Sequence, residues 1–164
     1  MRRKILATSA LERRLAALRR EGKRIVFTNG CFELIHPGHV RYLAAARRLG
    51  DVLVVGLNSD RSVRRLDKAP DRPLVPENDR AEVLAALEAV DFVTVFDEDT
   101  PLQVVRRLQP DVLVKGGDWA QDRIAGAEVV RARGGSVRSL PYTERYSTTR
   151  LVGRIRRRAP GAGG

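Results

Sequence analysis

Ile25-Val26-Phe27-Thr28-Asn29-Gly30-Cys31-Phe32-Glu33-Leu34-Ile35-His36-Pro37-Gly38-His39 decides both the fold and the chemistry of this chain. It opens as an apolar β-type run, breaks into a glycine loop, and then enters a segment with helical character from Gly38 to about Leu49. A strand that gives way to a glycine loop and a helix start is a ready anion site, because backbone N–H groups point out of the helix and its dipole favours negative charge. Both histidines of the chain fall in this stretch. They add imidazole donors at the same mouth, so phosphate chemistry is the first hypothesis.

Outward from this stretch, helix and strand signals alternate. Ser9-Ala10-Leu11-Glu12 has capping-box spacing, and Leu11, Leu15 and Leu18 recur at helical period, which predicts an amphipathic leading helix over 10–21. The first strand is expected over 25–28. Asp51 to Leu57 reads as a strand apolar on both faces. Residues 67–76 carry three prolines among mixed charges and predict a loop, the longest interruption in the chain. A helix over 78–90 and a strand over 92–96 follow. Thr100-Pro101 looks like an N-cap with proline at the first helical position, opening a helix to Leu108. Strand 111–115 is cut by Gly116-Gly117, a helix runs over 124–133, a strand over 136–140, and a closing helix over 148–157. One leading helix and five β-α repeats argue for an α/β fold: a Rossmann-like doubly wound five-stranded parallel sheet of order 3-2-1-4-5, with helices on both faces. In that order the first and fourth strands adjoin, and ligands bind beyond their carboxyl ends. The histidine loop and Lys115-Gly116-Gly117-Asp118 then meet, although His36 and Lys115 are about 80 residues apart.

Those groups suit nucleotidyl transfer. An oxygen of one phosphate attacks the α-phosphorus of a nucleoside triphosphate and pyrophosphate leaves, so catalysis consists of alignment and charge stabilisation. Gly30 and Gly38 would let backbone and phosphate approach closely. Ser147-Thr148-Thr149 could cradle terminal phosphates or simply cap a helix, and Asn58-Ser59-Asp60 is a further polar group at the same edge. Lys68 and Arg72 are either solvated or phosphate-facing. A purely structural histidine pair competes with the catalytic reading. A metal site is disfavoured, since a third histidine is lacking and Cys31 is alone; Cys31 reads as a packed small residue. There is no G-x-x-x-x-G-K-[ST] run and no G-x-G-x-x-G after the first strand, which argues against P-loop ATPases and dinucleotide oxidoreductases.

Composition narrows the class. The 164 residues fit one core, and 43% apolar content is ordinary for a globular protein. No apolar run approaches the roughly 20 residues a membrane span needs. Met1-Arg2-Arg3-Lys4 begins like a signal peptide, but Glu12, Arg13 and Arg14 soon interrupt the apolar stretch, so export is rejected and a cytoplasmic location is expected. The single cysteine fits a reducing compartment. A net charge of +11 would suit nucleic acid, an acidic membrane surface or anionic substrates. With aromatics at 5% and no RNA-binding or zinc-finger spacing, a solvated arginine-rich surface is preferred, without a nucleic-acid or membrane partner.

Gly30-Cys31-Phe32-Glu33-Leu34-Ile35-His36-Pro37-Gly38-His39 resembles the H-x-G-H nucleotidyltransferases, the cytidylyltransferase-like family. With Asn58-Ser59-Asp60, Leu87 to Asp91, Asp99-Thr100-Pro101, Leu113 to Asp118 and Ser147 to Thr149, the resemblance extends over roughly residues 23–156 to the adenylyltransferase domain of bacterial ADP-heptose synthesis. It implies that ATP and D-glycero-β-D-manno-heptose 1-phosphate give ADP-heptose and pyrophosphate, with Mg²⁺ carried by ATP. It implies that His36 and His39 hold the triphosphate and Lys115 neutralises its charge. Thr28, Asn29, Gly30, Cys31, Phe32, Gly38, Asn58, Gly116, Asp118, Ser147, Thr148 and Thr149 would line the nucleotide. Lys68, Arg72 and Arg80 are assigned to the sugar-phosphate side. Residues 1–22 are read as a leading helix, 23–158 as the nucleotidyltransferase domain and 159–164 as a flexible tail. A homodimer is expected, with the sugar-kinase step on a separate protein. Glu33 departs from the family pattern, which has aspartate there; exchanging it for aspartate is expected to change little. The alternatives are a cytidylyltransferase using CTP and an alcohol phosphate such as glycerol 3-phosphate, a basic nucleic-acid-binding module, and a nucleotide sensor without turnover.

Overall fold

Val52–Asn58 is buried at every position, as a central strand covered on both faces must be. The computed structural model describes residues 2–66, 72–117, 119–141 and 151–155. Within them the chain runs α1 (Thr8–Arg20), β1 (Ile25–Gly30), α2 (Pro37–Arg47), β2 (Val52–Asn58), α3 (Asp60–Arg65), α4 (Glu77–Ala86), β3 (Phe92–Phe96), α5 (Leu102–Leu108), β4 (Val112–Gly116), α6 (Ala127–Ala132) and β5 (Ser136–Leu140). The five strands form one sheet in the order β3-β2-β1-β4-β5, each pairing parallel. This is the order expected from the β-α alternation.

The strand pleat divides the apolar residues between two cores. Phe27, Val54 and Leu113 face Leu11 and Leu15 of α1, Val104, Val105 and Leu108 of α5, and Val130 of α6. Val26, Leu53, Val55, Val112 and Val114 face Tyr42, Leu43 and Ala46 of α2 and Leu84 of α4. The leading helix is thus packed on the sheet. Ahead of it, Ile5 forms a parallel bridge to Val93 and the Leu6 N–H donates to Val93 O at 3.0 Å, covering the exposed edge of β3.

That attachment explains one difference from the sequence reading. Helix α1 starts at Thr8 behind Ala7, with no side-chain cap. Ser9 therefore lies inside the helix, and the Thr8 hydroxyl turns to Thr94, 3.1 Å away. Glu12 pairs with Arg107 on α5 at 2.9 Å. The helix ends in a Schellman turn: Gly22 takes φ +76, Lys23 N–H donates to Leu18 O and Gly22 N–H to Arg19 O. Two more helices are shorter than their sequence patterns. α4 stops at Ala86 because Leu87 is extended, and α6 begins only after Gly126, whose φ of +92 is left-handed. α5 has Pro101 at its N-cap position, so Thr100 does not cap it. Residues 151–155 of the expected closing helix are helical; the remainder lies outside the described residues.

At the amino edge, carboxylates ahead of the strands accept from neighbouring backbone. Asp51 Oδ2 takes the Arg24 N–H at 2.8 Å, Asp111 Oδ2 the Ile25 N–H at 2.7 Å, and Asp91 Oδ2 the Leu53 N–H at 2.7 Å. Among the described residues no helix is long and apolar enough to cross a membrane.

Candidate active site

The carboxyl edge carries the histidines. Beyond Gly30 the chain turns through Phe32, whose φ of +45 is left-handed, a conformation costing a bulky residue roughly 1–2 kcal/mol. Burial of its ring offsets that strain. The ring lies against Gly30, where a Cβ would come within 3.0 Å of it, and meets His39 at a centroid distance of 5.2 Å. The glycine therefore makes room for an aromatic side chain of the same loop.

His36 stands at the N-cap of α2 and Pro37 follows at the first helical position. His36 Nδ1 accepts from the His39 N–H at 3.3 Å. As an acceptor, the neutral ring carries its proton on Nε2. The two imidazoles stack with centroids 3.8 Å apart and planes 18° from parallel. Only 5% of His36 and 8% of His39 is exposed. Burial pushes His39 down to about 4, with His36 pushing the same way and a backbone hydrogen bond at Leu34 opposing. Burial lowers His36 as well. Near neutral pH both rings are uncharged, and His36, whose Nδ1 accepts the His39 N–H, carries its donor on Nε2. Gly38 contributes a first-turn N–H that the helix itself cannot satisfy. A hollow of about 380 Å³ opens beside His36, lined also by Ile35, Pro37, Val40 and Arg41.

The strand order brings β4 alongside β1, with Thr28 opposite Val114. Lys115, one residue further, therefore emerges at the same edge as the histidine loop. Leu113 packs in the core facing α1 and α5, so Lys115, two residues on, leaves the sheet on that side, whereas α2 covers the other. Its ammonium lies 6.0 Å from the Trp119 ring centroid. The turn after it is held by Gly117 N–H to Leu140 O at 2.9 Å and by the Ser139 hydroxyl donating to Gly117 O. Gly117 has φ +102.

Several residues named from sequence support this edge from beneath. The Thr28 hydroxyl is buried against Tyr42 OH at 2.6 Å. The Asn58 side chain is buried and donates to Ser62 Oγ at 3.0 Å. Arg80, assigned by sequence to the sugar-phosphate side, is 1% exposed. Its guanidinium donates to Val75 O at 2.8 Å, Cys31 O at 2.6 Å, Asn58 O at 2.9 Å and Asp60 Oδ1 at 2.6 Å. It ties the ends of β1 and β2 to the segment before α4, and its donors face protein acceptors. Asn29, Gly30, Cys31 and Gly116 are half-buried along the edge, and Phe32 and Gly38 are buried. Lys68, Asp118, Ser147, Thr148 and Thr149 lie outside the described residues.

Sequence reasoning missed what Glu33 does. Its buried carboxylate accepts from the Leu74 N–H at 2.7 Å and pairs with Arg72 at 2.5 Å. It thereby fastens the proline-rich loop to the histidine loop, and Arg72 is spoken for on at least one nitrogen. The signal available was the departure at Glu33 itself, a longer acid in a loop that a distant segment must reach. Sequence also missed α3, capped by Ser59, whose Oγ accepts the Ser62 N–H at 3.0 Å. Beside it lies a hollow of about 600 Å³ whose lining includes Asp60, Arg64, Glu77 and Asp97.

Known proteins match this arrangement. The model of the Cytidylyltransferase-like family matches residues 27–154. The bifunctional protein HldE of Geotalea uraniireducens (strain Rf4) is 55% identical over 153 residues, covering 93% of this chain and 31% of that protein. Its namesake in Rhodopseudomonas palustris (strain TIE-1) is 55% identical over 154 residues, with the same two coverages. The chain thus spans about a third of the length of the curated relatives it matches. The crystal structure of the lipopolysaccharide core biosynthesis protein from Thermoplasma volcanium GSS1 aligns with a TM-score of 0.60 at 28% identity, covering 74% of this chain and 98% of that one. The matched span starts in β1, takes in the histidine loop and the whole sheet, and ends beyond β5, and on that basis the chain belongs to the cytidylyltransferase-like family of nucleotidyltransferases.

Proposed function

We propose that this protein is an adenylyltransferase that joins ATP to D-glycero-β-D-manno-heptose 1-phosphate, giving ADP-heptose and pyrophosphate. The observation that carries the reading is the stacked His36–His39 pair at the start of α2, the helix that follows β1, and β1 adjoins the strand bearing Lys115. The extended identity with HldE proteins supports the adenylyl and heptose specificity. An oxygen of the sugar phosphate bonds to the α-phosphorus as the bond to the bridging oxygen breaks, and that electron pair leaves with pyrophosphate. His36 and His39 donate to the triphosphate and to the charge that grows in the transition state, and Lys115 neutralises it from the other side of the sheet edge. Thr28 to Phe32, Gly38, Asn58, Gly116, Asp118 and Ser147 to Thr149 line or underpin the nucleotide. Lys68 and Arg72 belong to the sugar-phosphate side, and Arg80 acts on both through Cys31 and Asn58. Mg²⁺ would arrive with ATP, held mainly by triphosphate oxygens and water. The reading includes a cytoplasmic homodimer supplied with heptose 1-phosphate by a kinase step.

The test is pyrophosphate release across a nucleotide panel with heptose 1-phosphate and glycerol 3-phosphate as acceptors. ATP with the heptose phosphate should be turned over fastest, with ADP-heptose as the product. Faster turnover of CTP with glycerol 3-phosphate would replace this reading with the cytidylyltransferase. Nucleotide binding without pyrophosphate release from any pair would make the protein a sensor.

A further inference from the structure

The opposite edge of the sheet holds a second basic concentration that the proposed reaction does not use. A cavity of about 510 Å³ lies where α1 ends, β1 and β4 begin and the α6–β5 turn passes, lined by Arg19, Lys23, Arg24, Asp111, Arg133 and the glycines of the two turns. Four side chains there are cationic and one is a carboxylate. Asp111 already accepts the Ile25 N–H at 2.7 Å. Among the described residues none of the four cations is in an ion pair. Arg19 donates through Nη2 to Leu108 O and, at 2.9 Å, to Gln109 O, capping the end of α5, whereas its Nε is buried without a partner. Burial lowers the Arg19 pKa from its usual value; Asp111 opposes the shift and Arg133 adds to it, so the two guanidinium groups sense each other. Helix ends supply only about half a negative charge each. They do not balance four full charges around one hollow.

We propose that this cavity binds a small anion carrying two adjacent phosphates, held between Arg19 and Arg133 with Lys23 and Arg24 closing over it. One phosphate would leave much of the volume and two of the cations unused. The diphosphate could be free pyrophosphate or the diphosphate of a nucleotide. Gly22 and Gly134, at φ +76 and +78, have open space where a Cβ would stand, so the ligand can approach the backbone of both turns. The inference is independent of the reaction proposed above.

Amide NMR of the ¹⁵N-labelled chain tests it, with inorganic pyrophosphate, orthophosphate and ADP as probes. Saturable shifts are expected at Gly22, Gly134 and Gly135, with orthophosphate at least tenfold weaker than pyrophosphate. ADP matching pyrophosphate at these glycines would identify the nucleotide diphosphate as a ligand; ADP shifts confined to Gly30 and Gly38 would leave free pyrophosphate. The Lys23→Ala/Arg133→Ala variant, changed at exposed positions, should weaken pyrophosphate at least tenfold at Gly22 and Gly134 and leave shifts at Gly30 and Gly38 unaltered. Arg133→Lys should retain most of the affinity, and His39→Ala should leave this cavity untouched. The proposal falls if pyrophosphate shifts none of these glycines at millimolar concentration, if orthophosphate binds as well, or if the double variant binds normally.

Discussion

Two turns leave the same edge of the sheet side by side, and each opens a helix. After β2, Ser59 caps α3 through an Oγ that accepts the Ser62 N–H at 3.0 Å. After β1, His36 caps α2 through a ring nitrogen that accepts the His39 N–H at 3.3 Å. Serine is among the preferred caps and histidine is not. The β1 turn also holds Phe32 in a left-handed conformation and buries two imidazoles, which lowers the pKa of each, whereas the β2 turn does neither. Local stability accounts for the second turn and not for the first. Poor caps, strained backbone and depressed histidines at one place are what a site optimised for chemistry rather than stability looks like.

The largest effect is expected where the turns share a support. Arg80 donates to Cys31 O of the first turn and to Asn58 O and Asp60 of the second. Arg80→Met keeps the volume but strands those acceptors, and removing one member of a buried charged network costs about 3–5 kcal/mol. Urea denaturation would measure it. A loss under about 1 kcal/mol would mean that the turns stand without their common strut.

Next in size is pH dependence, which only the first turn should show. His39 titrates near 4 when folded and near 6.5 when unfolded, so between these values the unfolded chain binds more protons. Stability therefore rises with pH across that window and is lost as pH falls from 6.5 toward 4, by at most about 3 kcal/mol. His36, lowered in the same direction, adds to the slope. Comparing wild type with His39→Gln at pH 7, 5.5 and 4.5 isolates the histidine from the carboxylates. Parallel curves would show that His39 is not held neutral by the fold.

Catalysis should separate the turns as well. His39→Ala is expected to lower turnover by ~10²-fold or more, about 2.7 kcal/mol of transition-state stabilisation, while circular dichroism stays native. Lys115→Ala should do the same. A His39→Ala enzyme with near-normal pyrophosphate release would return the pair to a structural role.

How much of this was legible in the sequence follows from the same contrast. Strand order could be read because parallel strands buried on both faces leave unbroken apolar runs such as Val52 to Leu57. The histidine loop could be read because its residue types are scarce elsewhere. α3 could not, since a six-residue helix whose one buried apolar side chain is Val63 has no periodicity to detect. Arg80 could not, because an arginine aimed at a phosphate and one aimed at three carbonyls and a carboxylate look alike in one dimension. Glu33 was visible as an oddity, but its partners Leu74 and Arg72 lie about 40 residues on and come close only in the fold. The start of α1 shifted because a bridge at Ile5 outweighs a capping pattern at Ser9.

The smallest effect concerns the caps themselves. Ser59→Ala removes the acceptor for Ser62 N–H and should cost about 1 kcal/mol of stability. His36→Ser exchanges a weak cap for a strong one and releases a buried imidazole, so stability should rise by a few tenths of a kcal/mol. Chemical denaturation at pH 7 resolves the two if each is measured against the wild type with a common slope. Opposite signs are the required result: if His36→Ser costs as much as Ser59→Ala, the imidazole is a structural cap after all, and the asymmetry between the turns is one of residue type alone.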